Sequence, residues 1–343
     1  MKRLLVLFAL LALSVSVMAD PMLLGPTNLR ISDDGDFSAA PKEQKAEDPF
    51  DNFWAYRLYP PLKNLKGKGV KVAVADSGIV SHAEFNGKHI MGQDFTMSGS
   101  FTDIKNHGTG VAGIIGARGV QFTGIAPQAS LVVYKIDDGS RLIGPQAVTS
   151  AINTLLTYNE EHPDDKITVL NLSYGVSAGG SIPLTNAINK AHDSGVTIVC
   201  PAGNYPFPGV FYPGKLSTVI AVSALSADGK TIYPQSSYGP EVDFIAPGDK
   251  VFTAAADGDY TLSKQGVYGG GYRLPSAAAG FVSGAAALAV EGLKKKLGRY
   301  PTAQEVKDSL KKAAVKIPGL PDIAQGNGMI DIRKLEKQFS VTK

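Results

Sequence analysis

The sequence predicts an α/β protein in which helices cover both faces of one central, mostly parallel sheet. Apolar runs such as VKVAVADSG at 70–78 and ITVLNLSYG at 167–175 end in polar turns, as buried parallel strands do. Helical patterns with one apolar face alternate with these runs. Because parallel strands need crossover connections, this alternation favours a single three-layer domain.

The elements can be assigned in order from residue 67 onward. The predicted strands are GVKVAVADSG (69–78), ASLVVYKI (129–136), ITVLNLSYG (167–175), VTIVCPAGN (196–204), STVIAVSAL (217–225) and VDFIAPG (242–248). The predicted helices are HGTGVAGIIGA (107–117), PQAVTSAINTLLTYNEE (145–161), LTNAINKAHDSG (184–195), an Ala-rich helix from about 276 to 296, and TAQEVKDSLKKAAV (302–315). Thr302 and Glu305 form a capping-box pattern at the start of the last helix.

The N-terminal residues predict an exported protein. Lys2 and Arg3 precede the apolar run 4–17, and small residues at 17–19 suit cleavage of a signal peptide spanning 1–19. An uncleaved anchor is the alternative. We expect the protein to reach the periplasm or the outside of the cell. Cys200 is the only cysteine, so the exported fold needs no internal disulfide, and Cys200 is interpreted as a small buried hydrophobe.

Residues 20–66 are rich in Pro, Asp and Lys, and we interpret them as an arm that packs on the fold or a short pro-segment. The main domain is then 67–343. The net charge of +3 and the absence of a basic run with aromatics argue against a nucleic-acid partner. The Ala-rich helix is broken by glycines and is expected in the core, so no membrane span remains after signal removal. A monomer is expected.

Two polar residues stand where an α/β enzyme would place its site. Asp76 follows the first strand, where a carboxylate orients a histidine, binds a ribose or only shapes a turn. His107 opens a glycine-rich helix whose dipole disfavours the imidazolium form, which suits a base that is neutral at rest. A histidine that merely caps the helix is the structural alternative. No histidine pairs with another His or Cys at zinc-ligand spacing, so no metal site is predicted.

Asn204 and Ser276 complete the set of candidates. The Asn204 amide follows a strand, where it can donate to an oxyanion or simply form a turn. Ser276 stands at a helix start, where it can be a nucleophile or the helix N-cap. Asp, His and Ser follow one another in the order of the subtilisin triad, whereas the G-x-S-x-G elbow of α/β-hydrolases is absent.

With these motifs the sequence resembles the subtilisin-like serine proteases over about residues 67–334. VAVADSG and HGTGVAGIIGA resemble the aspartate and histidine motifs, and PAGN resembles the oxyanion asparagine motif. LNLSYG, YPGKLSTVIAVSA, SSYGPEVDFIAPG and GNGMIDIRKL are similar to further segments of the family. The resemblance implies a serine endopeptidase in which Asp76, His107 and Ser276 form the triad and Asn204 stabilises the oxyanion.

The serine motif departs from the family pattern. The family usually shows Gly-Thr-Ser followed, after three residues, by Pro-His-Val-x-Gly, whereas this chain has LPSAAAGFVSG at 274–284. Leu274, Pro275, Gly280 and Phe281 therefore differ. This departure motivates the rival hypothesis of a pseudoenzyme that binds peptides or partner proteins without cleaving them. A nucleotide-binding α/β protein is a third hypothesis, but ADSGIVSHAEF lacks the G-x-G-x-x-G loop that it requires.

The resemblance also implies which residues bind a polypeptide substrate. The candidates are Ser173, Tyr174, Gly175, Ala202, Gly203 and Phe211. Ser173–Gly175 would pair with an extended substrate, and Phe211 would form the base of the primary specificity pocket and favour small side chains. The loop ARGVQFTG after the histidine helix has no Asp or Asn, so the calcium site that the family often has there is not expected. No cofactor is predicted.

Overall fold

A computed structural model of the chain describes residues 30–31, 54–139, 144–177, 179–261 and 274–340. The predicted signal peptide and most of the segment 20–66 lie outside the described residues. Eight strands form the central sheet: β1 (Arg30–Ile31), β2 (Lys71–Asp76), β3 (Ile90–Asp94), β4 (Ser130–Lys135), β5 (Ile167–Leu172), β6 (Thr197–Pro201), β7 (Val219–Leu225) and β8 (Val242–Pro247). Their spatial order is β1-β3-β4-β2-β5-β6-β7-β8. Only β1 pairs antiparallel, so the prediction of a mostly parallel sheet is confirmed.

Helices lie on both faces of this sheet. They are α1 (Trp54–Leu58), α2 (Gly108–Gly116), α3 (Pro145–Glu161), α4 (Ile182–Asp193), α5 (Pro275–Leu297), α6 (Ala303–Ala313), α7 (Asp322–Gln325) and α8 (Ile332–Lys337). A 3₁₀ turn (Ala83–Phe85) follows β2, and β9 (Ala314–Val315) pairs antiparallel with β10 (Met329–Ile330). Thr302 and Glu305 form the predicted capping box of α6.

The core has two layers because side chains alternate along each strand. Val72 and Val74 of β2 face the layer that contains α2 and α5, whereas Ala73 and Ala75 face α3 and α4. β2 lies near the middle of the sheet between β4 and β5, and its last residue is Asp76. The three-layer α/β domain predicted from the sequence is thus the observed architecture.

Helix α5 is the central helix of the domain. Among the described residues it alone is long and apolar enough to cross a membrane, but its residues 275–292 are buried in the core. Its glycines allow close packing, since a Cβ on Gly284 would lie 2.5 Å from the Cβ of Ile125. A Cβ on Gly280 would lie 3.2 Å from the Cγ2 of Ile114, so α2 and α5 approach each other closely at this point. The prediction of a buried core helix is confirmed.

Several short elements were not anticipated from the sequence, among them β1, α7, α8 and the β9–β10 pair, and Ala314–Val315 is strand rather than the predicted end of a helix. β3 was missed, and the short helix α1 lies within the segment 20–66, which the sequence pattern presented as an arm or pro-segment. Trp54 and Tyr56 of α1 and the following Tyr59 are buried in the core. The two tyrosine rings contact α5, because the ring of Phe281 lies 5.5 Å from that of Tyr56 and 5.0 Å from that of Tyr59. The last part of this segment therefore packs on the fold.

Candidate active site

The candidate residues lie at one edge of the sheet. Asp76 is the last residue of β2, and the neighbouring strands β5 and β6 end just before Ser173 and Asn204. Because parallel strands place their carboxyl ends along the same edge, these three residues share it. His107 and Ser276 stand at the starts of α2 and α5, which cover the same face.

Asp76 and His107 form a close pair. Nδ1 of His107 lies 2.6 Å from Oδ1 of Asp76, and the backbone N–H of Ser77 donates to the same oxygen at 2.6 Å. Since an ionised carboxylate can only accept hydrogen bonds, Nδ1 carries the proton and Nε2 is left as the base. The structure thus orients the imidazole as a proton acceptor.

The charges of this pair stabilise one another. Burial raises the pKa of the Asp76 carboxyl, but the charge and hydrogen bond of His107, with the nearby Ser173 hydroxyl, outweigh it, so the pKa lies below its usual value. Burial lowers the pKa of His107, but the charge and hydrogen bond of Asp76 reverse this, so the pKa is raised. An imidazolium formed during a reaction is therefore stabilised where it arises.

The structure excludes two of the structural alternatives. His107 occupies the N-cap position of α2, but its side chain makes no capping hydrogen bond and is directed to Asp76 instead. The N-cap of α5 is Leu274, and Ser276 is the second residue of the helix, so the N-cap interpretation of Ser276 is wrong. At this position the backbone N–H of Ser276 has no intrahelical acceptor.

The candidate substrate residues surround Phe211. The backbone N–H of Phe211 donates to the carbonyl of Ala202 at 2.8 Å. Gly203 has φ 132°, and a Cβ there would lie 2.6 Å from the Phe211 ring. A Cβ on Gly175 would lie 3.5 Å from the Cβ of Phe211. Phe211 therefore lies beside both segments that the resemblance assigns to substrate binding, and at Gly203 it leaves no room for a side chain.

Gly175 and Asn204 are exposed on this edge, whereas Tyr174 and Ala202 are buried. The backbone of Ala202 is bonded within the fold, since its N–H donates to the carbonyl of Val222 and its own carbonyl accepts the N–H of Phe211. After Gly175, Val176 and Tyr212 exchange backbone hydrogen bonds of 2.9 and 3.1 Å, which hold the two segments side by side.

Comparison with known proteins places this arrangement in a family. The sequence model of the Peptidase S8 (subtilase) family matches residues 67–328, more than half of the chain. The chain belongs to the subtilase family. The resemblance inferred from the motifs is confirmed, and the chain is a serine-type endopeptidase.

Curated relatives and solved structures agree with this family. The chain is 33% identical over 277 residues to a thermostable alkaline protease of Halalkalibacterium halodurans, covering 78% of this chain and 68% of that protein. It is 33% identical over 280 residues to subtilisin DY of Bacillus licheniformis, covering 79% and 92%. The crystal structure of MycP1 with the N-terminal propeptide removed has the same fold, with a TM-score of 0.66 and 24% identity over 82% of this chain and 97% of that chain.

The structure adds buried polar residues that the sequence argument missed. Next to the Asp76–His107 pair, Asp103 accepts hydrogen bonds from Ser77 and Thr109. On the other side of Asp76, Ser283 of α5 donates to Asn171 at 3.0 Å, and Asn171 donates to Ser173 at 3.1 Å. Two of these contacts, between Ser77 and Asp103 and between Asn171 and Ser283, join residues that are 26 and 112 positions apart in the sequence.

The loop after the histidine helix is held by a carboxylate. Glu84, fully buried, accepts the backbone N–H groups of residues 119–122 at 2.6–3.3 Å. The described residues contain no group of three or more His, Cys, Asp and Glu side chains placed to hold a metal. The expectation that no calcium or other cofactor is needed stays a prediction.

Proposed function

We propose that this subtilase is an exported endopeptidase that hydrolyses peptide bonds with the triad Asp76, His107 and Ser276. The observation that carries the proposal is the 2.6 Å contact between Nδ1 of His107 and Oδ1 of Asp76, which leaves Nε2 as the base. It is supported by the start of α5, whose second residue is a serine on a helix packed against α2.

The steps follow from these roles. Oγ of Ser276 attacks the scissile carbonyl while Nε2 of His107 takes its proton, and a tetrahedral oxyanion forms. The Asn204 amide and the Ser276 backbone N–H donate to this oxyanion. The imidazolium then protonates the leaving amine, the acyl-enzyme forms, and a water activated by the same imidazole hydrolyses it. Asp76 stabilises the imidazolium throughout.

The substrate is a polypeptide bound in extended form along Ser173–Gly175. We propose that it has a small side chain at the cleaved position, because Phe211 fills the space between Gly175 and Gly203. Phe211→Ala is expected to shift a peptide-library profile towards Leu and Phe at that position. The matched control is Phe207→Ala, which removes an exposed ring from the same loop. A wild-type preference for Leu or Phe would contradict the assignment.

Export is supported by residues 1–19, which have the charge and apolar pattern of a signal peptide. N-terminal sequencing of the protein recovered from periplasm and culture medium tests it. A mature chain that begins after residue 19 in either fraction is expected, and a full-length chain retained in the membrane contradicts it.

A fluorophosphonate probe tests the catalytic assignment and separates it from the pseudoenzyme hypothesis. The probe should label the folded wild-type protein, and labelling should disappear in Ser276→Ala and fall sharply in His107→Ala. Replacing the nucleophile is expected to lower the rate by about 10⁶, and replacing Asn204 by about 10²–10³, as in subtilisin itself. Folded wild-type protein that is neither labelled nor proteolytic would overturn the proposal in favour of a peptide-binding pseudoenzyme.

A further inference from the structure

A second buried carboxylate lies beside the Asp76–His107 pair. Asp103 is 3% exposed. Its Oδ1 accepts the Ser77 hydroxyl at 2.8 Å and the backbone N–H of Lys105 at 2.9 Å. Its Oδ2 accepts the backbone N–H and hydroxyl of Thr109 at 2.9 and 2.7 Å. The four donors directed at it satisfy the hydrogen-bonding capacity of this buried side chain.

These contacts replace a helix cap that His107 cannot supply. The first backbone N–H groups of a helix have no intrahelical acceptor, and the N-cap side chain usually accepts one of them. Here the N-cap residue is His107, whose ring is directed to Asp76. The Ser77 hydroxyl accepts the N–H of Gly108 at 2.9 Å, and Asp103 accepts that of Thr109. The cap is thus moved to other residues, and the imidazole is left for catalysis.

The same contacts link the two carboxylates. Ser77 donates its backbone N–H to Asp76 and its hydroxyl to Asp103. The strand end that carries Asp76 and the helix start that carries His107 are therefore joined twice. One link is the 2.6 Å contact within the pair, and the other runs through Ser77 and Asp103. Two independent links restrict the rotation of one element relative to the other.

The charge of Asp103 also acts on the imidazole. The charged groups that act on His107 are Asp76 at the end of β2 and, in the loop before α2, Asp103 and Lys105. Both carboxylates raise the pKa of His107, and Lys105 lowers it. The Lys105 ammonium also pairs with Asp137 at 2.6 Å.

We propose that Asp103 is a positioning residue of the catalytic centre, which caps α2 in place of His107 and holds the imidazole against Asp76. This inference rests on the proposed triad. The carboxylate acts through Ser77 and Thr109 and through its charge, and it does not touch the substrate.

Asp103→Asn and Thr109→Val separate the two effects. Asp103→Asn removes the charge and turns one acceptor into a donor, so kcat/KM should fall about 10- to 100-fold. The acidic limb of the pH profile should move to lower pH, since a negative charge near the imidazolium is lost. Thr109→Val keeps the charge and removes one hydroxyl donor, so kcat should fall with the limb unmoved. The matched control is Asp94→Asn, whose carboxylate accepts the N–H groups of Thr96 and Gly99 in another loop.

The control should retain the wild-type rate and pH profile. The proposal is overturned if Asp103→Asn folds and the acidic limb of its pH profile stays at the wild-type position. It is also overturned if Thr109→Val keeps the wild-type kcat. If Asp103→Asn does not fold, Thr109→Val decides alone. Failure of the proposed function looks different, because fluorophosphonate labelling would then be absent from the wild-type protein or unaffected in His107→Ala.

Discussion

The replacement of Glu84 by Gln probes how the loop after the histidine helix is anchored. Oε2 of Glu84 accepts the N–H groups of Gly119 and Val120, and Oε1 accepts those of Gln121 and Phe122. Oε1 also accepts the Tyr260 hydroxyl at 3.1 Å. Gln keeps one acceptor oxygen, so two backbone N–H groups would face an amide NH₂. Each lost bond to a charged group costs about 1.5–3 kcal/mol, and water can reach this surface loop, so we expect a loss of about 2–4 kcal/mol.

The assay is urea and thermal unfolding in a Ser276→Ala background, which prevents self-cleavage of the unfolded chain. For a domain of about 280 residues the expected loss lowers Tm by about 3–7 °C. The matched control is Glu160→Gln, which removes an exposed carboxylate 3.4 Å from Lys190 and should change stability by about 0.5 kcal/mol or less. A loss below about 1 kcal/mol in Glu84→Gln, or an equal loss in the control, would refute the reasoning.

Three further predictions concern the triad, metal dependence and α5. Because the folded pKa of His107 is raised, kcat/KM should fall as pH drops through a value above about 6.5, and an acidic limb of the kcat/KM profile at or below 6.5 contradicts this. Asp76→Asn should move this acidic limb to lower pH and reduce kcat by about 10⁴. EDTA should change Tm by less than about 2 °C, because a carboxylate holds the loop, and a larger fall reveals a bound metal. Phe281→Ala should cost about 3–5 kcal/mol in urea unfolding, through the cavity left beside Tyr56 and Tyr59, and a loss below 1 kcal/mol contradicts that packing.

The Asp76–His107 pair also makes the stability of the folded protein depend on pH. The pKa of Asp76 is lower in the folded state than in the unfolded state. Its contribution to the free energy of unfolding is therefore present above the unfolded pKa and is lost as pH falls through the folded pKa. The folded pKa of His107 is raised, so its contribution is present below the unfolded pKa and is lost as pH rises through the folded one. Activity and the stabilising charge of the imidazole therefore change in opposite directions with pH.

The sheet could be predicted from the sequence because its strands are continuous apolar runs and its helices carry one apolar face. β3 could not, since IMGQD has neither a clear alternation nor a long apolar run. Helix α1 has five residues, too few for a periodic pattern, and its buried rings pack against α5 more than two hundred residues later. Local patterns carry no information on such contacts.

The sequence identifies the triad candidates because each lies in a recognisable motif. It does not identify the buried carboxylates Asp103 and Glu84, which hold the segments around them. Asp103 lies four residues before His107 in a segment without periodicity, and its partners include Ser77, 26 residues earlier. Nothing in the sequence around Glu84 indicates that it is buried, because its partners are backbone N–H groups 35–38 residues away. Only the fold shows which carboxylates are buried and which donors surround them.

The unusual serine motif follows from the packing of α5 rather than from the chemistry of Ser276. Phe281 fills a site between Tyr56 and Tyr59, so its ring belongs to the cluster formed with the N-terminal segment. Gly280 lets α5 approach Ile114 of α2, the helix that begins at His107. Pro275 at the first helical position has the backbone angle that a helix start requires and leaves the N–H of Ser276 intact. Three of the four departures therefore shape how α5 is held, and all of them leave the hydroxyl and the backbone N–H of Ser276 in place.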